Sequence, residues 1–389
     1  MLRAYKYRLN PTEKQKELLN KHIGSVRFLY NLALETKQTA YAGNFVSLSR
    51  YDLQKQLTDL KKECVWLTEV NSQSLQSALM NLDAAYLRFF KGQNSFPRYK
   101  KKSNGGSFNV PQNVILQDNK LIIPKFKEGI DIILHRPIKG VIRQATVSRT
   151  PTGKYFVSIL CETGEEYPLK FSVSKENAIG VDLGIKDFLV TSNGEKFDNP
   201  KYLRKAQSKL KYVQRKYSKY KGKRTKQRLA LLHEKVANKR KDFLHKTSSK
   251  LIRENQTICL ENLSVKNMVK NHCLAQAISD ASWASFVTML EYKAEWNGVN
   301  ILKIGRFEPS SKQCSCCGYI NKELTLKDRS WTCPKCNSVL DRDINAACNI
   351  KLFALNNVSG TDTQTRNELP TLVGVLTSEA HPIGYAVGG

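Results

Sequence analysis

Acidic residues are scarce in this chain of 389 residues, where 34 Asp and Glu stand against 63 Lys and Arg and the net charge is +29. That imbalance disfavours a basic partner and suits a polyanion. Long apolar runs are also missing. No stretch approaches the ~20 residues that a membrane span needs, so no membrane partner is expected. The opening residues, MLRAYKYRLNPTEK, are charged and lack the apolar run of a secretory leader. Cysteine is not scarce, but six of the ten (Cys64, Cys161, Cys259, Cys273, Cys316 and Cys348) are scattered, which suits a reducing cytoplasm better than a disulfide framework. The length allows two or three domains with buried cores.

The other four cysteines form two Cys-x-x-Cys pairs, Cys314/Cys317 and Cys333/Cys336, fifteen residues apart. This is the spacing of a four-thiolate zinc site. Four thiolates fill a tetrahedron, so the expected zinc is structural; Cys316, inside the first pair, is the expected spare thiol, with another ligand register left open. Directly after the second pair comes Asp341-Arg342-Asp343-Ile344-Asn345-Ala346-Ala347, two carboxylates opening a helix. The positive charge is clustered as well. Residues 201–250 carry nineteen Lys and Arg and two acids, Glu234 and Asp242, with Tyr202, Tyr212, Tyr217 and Tyr220 interleaved. Such a block lies along phosphates or is disordered, and its rings could stack on bases or simply pack.

Periodicity divides the chain into an α/β and β multidomain protein. Residues 2–9 are β-compatible and alternate basic with aromatic side chains (Arg3, Tyr5, Lys6, Tyr7, Arg8). Asn10 and Pro11 then mark a helix start, and helical spacing follows over 12–22, 25–41, 49–62 and 72–90. On the last segment Ser72, Gln73, Gln76 and Asn81 lie opposite the apolar stripe, where amides are able to read base edges. The linker Phe96-Pro97-Arg98-Tyr99-Lys100-Lys101-Lys102 is basic and aromatic. Strands are expected at 114–116, 121–123, 130–134, 141–148 and 154–161. The helices thus read as inserted between a first strand and the rest of a small β-barrel. Arg3, Tyr5, Lys6, Tyr7, Arg8, Ser72, Gln76, Arg98, Lys100 and Lys101 are the candidate nucleic-acid contacts.

A third region opens with an apolar strand at 178–184 that carries Asp182, followed by strands near 188–191 and 195–197. The basic block is helix-compatible from 207 to about 251. A second buried strand ends at Glu261. A helix bearing Trp283, Phe286, Leu290 and Trp296 follows, then a short strand at 301–304. Residues 356–389 are expected to be disordered. Asp182, Glu261 and Asp343 are therefore three acids at strand ends and a helix start. They could converge as in an RNase H-like fold and hold two Mg²⁺ ions for phosphodiester hydrolysis. An acid after a strand is most often a cap or turn former. Asp187 and Glu195 are decoys, and spacing does not separate Asp341 from Asp343.

Taken together, AYKYRLNPTEKQKELL, FPRYKKK, IGVDLGIKDF, LENL, SSKQCSCCG, WTCPKC and DRDINAACNI resemble the TnpB (OrfB) family of insertion sequences, relatives of type V CRISPR effectors. The resemblance runs from Met1 to about Leu355. It implies an RNA-guided DNA endonuclease with a split RuvC nuclease domain, its catalytic acids on Asp182, Glu261 and Asp343 and its zinc on Cys314, Cys317, Cys333 and Cys336. It implies a split β-barrel wedge (1–10 and 105–172) and a helical recognition domain (11–104). It also implies a split RuvC-like domain (173–308 and 341–355) with an inserted zinc-binding, nucleic-acid-binding module (309–340). The implied partners are a guide (omega) RNA and double-stranded target DNA beside a short flanking motif, the TAM. One protein per guide RNA and a cytoplasmic, nucleoid-associated location in a prokaryote are implied too. A transposase or integrase using the same acids and a non-catalytic nucleic-acid-binding regulator are the alternatives.

Overall fold

In the computed structural model, which describes residues 1–325 and 327–359, the first strand is the centre of the first sheet. That strand, β1 (Leu2–Asn10), precedes three helices, α1 (Glu13–Asn44), α2 (Arg50–Glu63) and α3 (Ser72–Phe90). Six strands follow: β2 (Gly106–Val110), β3 (Ile115–Gln117), β4 (Lys120–Ile123), β5 (Phe126–Ile133), β6 (Val141–Arg149) and β7 (Tyr155–Glu162). The chain divides into two units, and these elements make up the first, Met1–Glu165. The sheet order is β2-β6-β7-β1-β5-β4-β3, with β1 antiparallel to β7 along Leu2–Leu9 and to β5 at its end. The helices are therefore inserted between a first strand and its sheet, as their spacing predicts. Closure is not seen: among the described residues no ladder joins β2 to β3, so the hydrogen-bonded sheet is open rather than a complete barrel.

Sequence expectations for two elements of this unit are corrected. Helix α1 is one helix, not two, and passes straight through Gly24, where nothing would meet an added Cβ. Glycine there costs about 1 kcal/mol against alanine, which the buried stripe Leu19, Ile23, Val26, Leu29 and Leu34 outweighs. Its N-cap is Thr12, in a capping box with Gln15, and not Asn10. The second correction concerns β1. Tyr5, Tyr7 and Leu9 point into the core, and the Tyr7 hydroxyl donates to the Arg136 carbonyl at 3.0 Å. A period of two puts Lys6 and Arg8 on the opposite, exposed face. Tyr5 and Tyr7 are thus core residues, and Lys6 and Arg8 are the exposed candidates of this strand.

The second unit begins at Glu166. It contains β8 (Ala178–Leu183), β9 (Asp187–Thr191), β10 (Lys196–Asp198), α4 (Tyr202–Tyr220), α5 (Lys223–Glu254) and β11 (Thr257–Leu260). It continues with α6 (Val265–Met268), α7 (His272–Ala281), α8 (Trp283–Asn297), β12 (Asn300–Lys303), β13 (Ser330–Thr332), β14 (Val339–Asp341) and α9 (Arg342–Ser359). The five-stranded sheet runs β10-β9-β8-β11-β12; the first three strands are antiparallel, while β8, β11 and β12 are parallel. All four residues of β11 are buried, as expected for a parallel strand covered on both faces. On one face Ile179, Val181, Ile258 and Leu260 pack against Leu251, Trp283, Phe286 and Leu290. On the other, Ala178 and Cys259 pack against Ile350 and Ala354 of α9. Residues 356–359, expected to begin a disordered tail, continue α9. The remainder of that expectation, 360–389, lies outside the described residues.

Gly180 allows α9 to lie this close. A Cβ at that position would stand 1.9 Å from the Ala347 carbonyl oxygen and 2.9 Å from the Lys351 nitrogen. Both obstacles are backbone, so the helix itself would have to move. Gly180→Ala is expected to cost about 3 kcal/mol, the upper end of ordinary overpacking. The melting temperature of this unit should fall by roughly 6–12 °C at ~2–4 °C per kcal/mol. Calorimetry showing an unchanged melt would mean that α9 does not rest on β8.

Candidate active site and zinc centre

Strand parity brings the first two acids together. On β8, Ala178, Gly180 and Asp182 alternate onto the α9 face; on β11, Cys259 and then Glu261 do the same. The parallel register pairs Leu260 with Val181, so Glu261 follows β11 at the level of Asp182, the last residue but one of β8. Asp343 lies in the first turn of α9, the helix that packs on this face. The other two carboxylates both act on Asp182. The Asp182 carboxyl is pushed up to about 8, first by burial and then by the negative charges of Glu261 and Asp343, with Arg342 opposing. Two negative charges that raise the proton affinity of a third carboxyl form an arrangement that a bound cation would relieve. Each of the outer two leans on a different partner: Glu261 accepts from the Ser310 hydroxyl at 2.6 Å, and Asp343 lies 3.8 Å from the Arg329 guanidinium.

Capping separates Asp343 from its neighbour. The Asp341 carboxylate accepts from the backbone nitrogens of Asp343 at 3.0 Å and Ile344 at 3.1 Å. It also pairs with Lys196 at 2.7 Å, and these partners hold its carboxyl below the usual range against the opposing effect of burial. Asp341 is therefore occupied as the N-terminal cap of α9. Of the other decoys, Glu195 pairs with Lys250. Asp187 lies opposite Asp198 in the β9–β10 ladder.

The four cysteines of the paired motifs meet. Their sulfur atoms lie within 4.8 Å of one another, with Cys314–Cys336 at 3.7 Å and Cys317–Cys333 at 3.5 Å. A tetrahedron of 2.3 Å Zn–S bonds has edges of ~3.8 Å, so the sulfur positions fit zinc. Two short turns build the site: the Gly318 nitrogen donates to the Cys314 carbonyl, and the Asn337 nitrogen to the Cys333 carbonyl. Burial pushes the Cys314 thiol up to about 12, whereas the Ser338 hydroxyl lowers Cys336 to about 6. Cys316 is exposed and outside the cluster, as the sequence indicates.

The basic block forms two helices, α4 and α5, joined through Lys221 and Gly222. They rest on Leu210, Val213, Val236 and Leu244, while Lys205, Lys209, Lys211, Arg215 and Lys216 face solvent. Asp280, on α7, caps α4 from outside: its carboxylate accepts from the nitrogens of Leu203 and Arg204 at 3.0–3.1 Å and pairs with Arg240 at 3.4 Å. No local pattern marks Asp280 for this role, because the cap lies 77 residues from Leu203.

The remaining nucleic-acid candidates belong to the first unit. Lys6 and Arg8 are exposed, with Lys6 5.0 Å and Arg8 6.0 Å from the Phe156 ring, and Arg3 is half-buried. Ser72, Gln76, Arg98 and Lys101 are exposed, and the Ser72 hydroxyl accepts from Lys61 at 3.0 Å. Lys100 is engaged in packing, its ammonium 4.2 Å from the Tyr30 ring.

Residues 158–272 match the OrfB_IS605 family model, described as "Probable transposase". Residues 283–350 match a Cas12f1-like TNB domain, and residues 1–44 a helix-turn-helix domain, although here the latter form a strand and one unbroken helix. A protein of Streptomyces pristinaespiralis named as a candidate RNA-guided DNA endonuclease is 40% identical over 359 residues, covering 90% of this chain and 88% of that protein. InsQ of Escherichia coli K12, named likewise, is 29% identical over 373 residues and covers 90% and 91%. The cryo-EM structure of a Cas12f1–sgRNA–target DNA complex aligns with a TM-score of 0.54 at 15% identity over 87% of this chain and 83% of that one, a likeness of fold.

Proposed function

Since the chain belongs to the TnpB (OrfB) family, we propose that it is an RNA-guided DNA endonuclease encoded by an insertion sequence, with Asp182, Glu261 and Asp343 as its catalytic carboxylates. The observation that supports this reading is the placement of the three acids: Glu261 follows β11 in register with Asp182 on β8, and Asp343 lies in the first turn of α9, the helix packed on the same face. Mg²⁺ ions bound there would activate the attacking water and stabilise the leaving oxygen, and hard oxygen ligands favour Mg²⁺ over zinc. The residues of the chain itself supply the geometry: β8 and β11 fix two ligands in register, and Asp341 caps the helix that brings in the third. The strand order β10-β9-β8-β11-β12, antiparallel and then parallel, supports an RNase H-like (RuvC) domain over 173–308 and 341–355, with the zinc module of 309–340 inserted.

In this reading, residues 1–10 and 105–172 form the wedge and 11–104 the recognition domain. Arg3, Lys6, Arg8, Ser72, Gln76, Arg98, Lys100 and Lys101 face the guide RNA or the duplex beside the TAM. One chain serves one guide RNA, and target sequence is read by pairing while phosphates are held by the net charge of +29. No helix among the described residues is long and apolar enough to cross a membrane. A cytoplasmic, nucleoid-associated location fits this activity.

Expression together with the flanking locus provides the test. A discrete co-purifying RNA that ends in sequence beyond the element, and that programs Mg²⁺-dependent double-strand breaks when that end is replaced, is the expected result. Selective retention of element-end DNA without RNA would replace this reading with a transposase.

A further inference from the structure

A short chain of hydrogen bonds, partly or fully buried, joins the zinc module to one carboxylate of the proposed cation site. Asn345 and Asn349 lie one turn apart on α9 and are 2% and 0% exposed. Both amides reach across to the segment that enters the first Cys-x-x-Cys pair. The Asn345 amide donates to the Gln313 carbonyl at 2.7 Å, while its oxygen accepts from the Ser315 nitrogen at 2.8 Å. The Asn349 amide donates to the Gln313 carbonyl at 2.6 Å and to the Ser310 carbonyl at 2.7 Å. Ser310 is thus fixed at its backbone and is 6% exposed. Its hydroxyl then donates to Glu261 Oε1 at 2.6 Å.

We infer that Ser310 is a positioning residue for Glu261, and that the zinc module sets this carboxylate through Asn349 and Ser310. The inference rests on the reading of Asp182, Glu261 and Asp343 as a divalent-cation site. The chemistry of the donor supports it. A hydroxyl at 2.6 Å makes a short, charge-assisted bond that fixes the carboxylate plane and leaves Oε2 for a metal. An arginine or lysine in the same place would neutralise the carboxylate and compete with the cation. A hydroxyl orients the acid without discharging it. Losing an outer partner of this kind typically costs about 10–100-fold in metal affinity.

The test is a Mn²⁺ titration followed by electron paramagnetic resonance, on the zinc-loaded full chain, with the parent, Ser310→Ala, Ser310→Thr and Glu261→Gln compared. Ser310→Ala is expected to raise the half-saturating Mn²⁺ concentration about 10–100-fold. Ser310→Thr, which keeps the hydroxyl, should stay close to the parent, and zinc content and melting temperature should be unchanged in both. An Ala variant that titrates like the parent would overturn the inference, and so would a Thr variant as weak as Ala. Loss of zinc or a lower melt in Ser310→Ala would reduce Ser310 to a structural residue and overturn it too. Glu261→Gln separates the two levels: if it binds Mn²⁺ as tightly as the parent, the cation-site reading itself fails. If instead Mn²⁺ binding depends on Glu261 but programmed DNA is never cut, the endonuclease reading fails and the role of Ser310 still stands on the titration.

Discussion

Asp343→Asn is expected to lower guide-programmed DNA cleavage by about 10³-fold or more, while Asp341→Asn leaves it within a few-fold of the parent. The two substitutions are chemically identical and two residues apart, so the contrast depends only on what each carboxylate does. At Asp343 the lost charge removes one of the three proposed metal ligands. A bound cation supplies several kcal/mol of charge stabilisation, and losing ~4 kcal/mol corresponds to about 10³ in rate. At Asp341 the carboxylate accepts from two backbone nitrogens and pairs with a half-exposed Lys196. Asparagine caps a helix about as well as aspartate. Only the partly exposed ion pair is lost, worth at most ~1 kcal/mol. Single-turnover cleavage at saturating guide and Mg²⁺, with a melting curve for each variant, checks both halves. Equal losses in two well-folded variants would sink the assignment of Asp343.

The same pair shows where sequence reasoning stops. Spacing places both Asp341 and Asp343 at the start of a helix and has nothing further to offer, because a cap is defined by which nitrogens an oxygen reaches. The resemblance selects Asp343; the hydrogen bonds on Asp341 supply the physical reason it is otherwise engaged. Asp182 and Glu261 were more legible. Asp182 lies near the end of one apolar strand and Glu261 directly after another; parity within a strand is a property of sequence, so their shared face could be read once the two strands were known to be neighbours. The thiols were the most legible of all, since ligand spacing is nearly a structure in itself.

What stayed hidden was long-range or two-sided. The alternation of Arg3, Tyr5, Lys6, Tyr7 and Arg8 is compatible with an exposed basic-aromatic face, but the same period of two sends the tyrosines into the core. The helical spacing over 12–22 and 25–41 belongs to one helix, because local propensity is weak beside the packing of α1. Asp280 and Ser310 carry no local signal, because their partners lie 77 and 49 residues away. Chemistry that depends on side chains at strand ends was visible; chemistry that depends on which loop lies beside them was not.

Cys333→Ser tests that last dependence from the zinc side, and its expected effect is the larger one on local structure. Cys333 is fully buried, and around the sulfur cluster the core is slight: Leu324, Trp331 and the cysteines themselves. A module with so little apolar surface depends on its metal to fold. Structural zinc binds peptides of this type with an apparent ~10–16 kcal/mol, so the loss of one thiolate should forfeit enough to release the module. The expected result is a fall in bound zinc from one equivalent and rapid proteolysis within 310–340. The sheet unit should persist, because α9 is held on β8 by Ile350, Ala354 and the gap at Gly180, none of which involves the metal. Cleavage should fall with the zinc, since Ser310 loses its anchorage and Glu261 its donor, while guide-RNA retention, spread over many cations, changes little. Metal analysis, limited proteolysis and a cleavage assay on one preparation read all three. If Cys333→Ser kept a full equivalent of zinc and the parent's protease resistance, four-cysteine ligation would be wrong. If instead zinc were lost and cleavage survived intact, the module would be an appendage, and the hydrogen bonds from Asn345 and Asn349 would carry no consequence for the carboxylates.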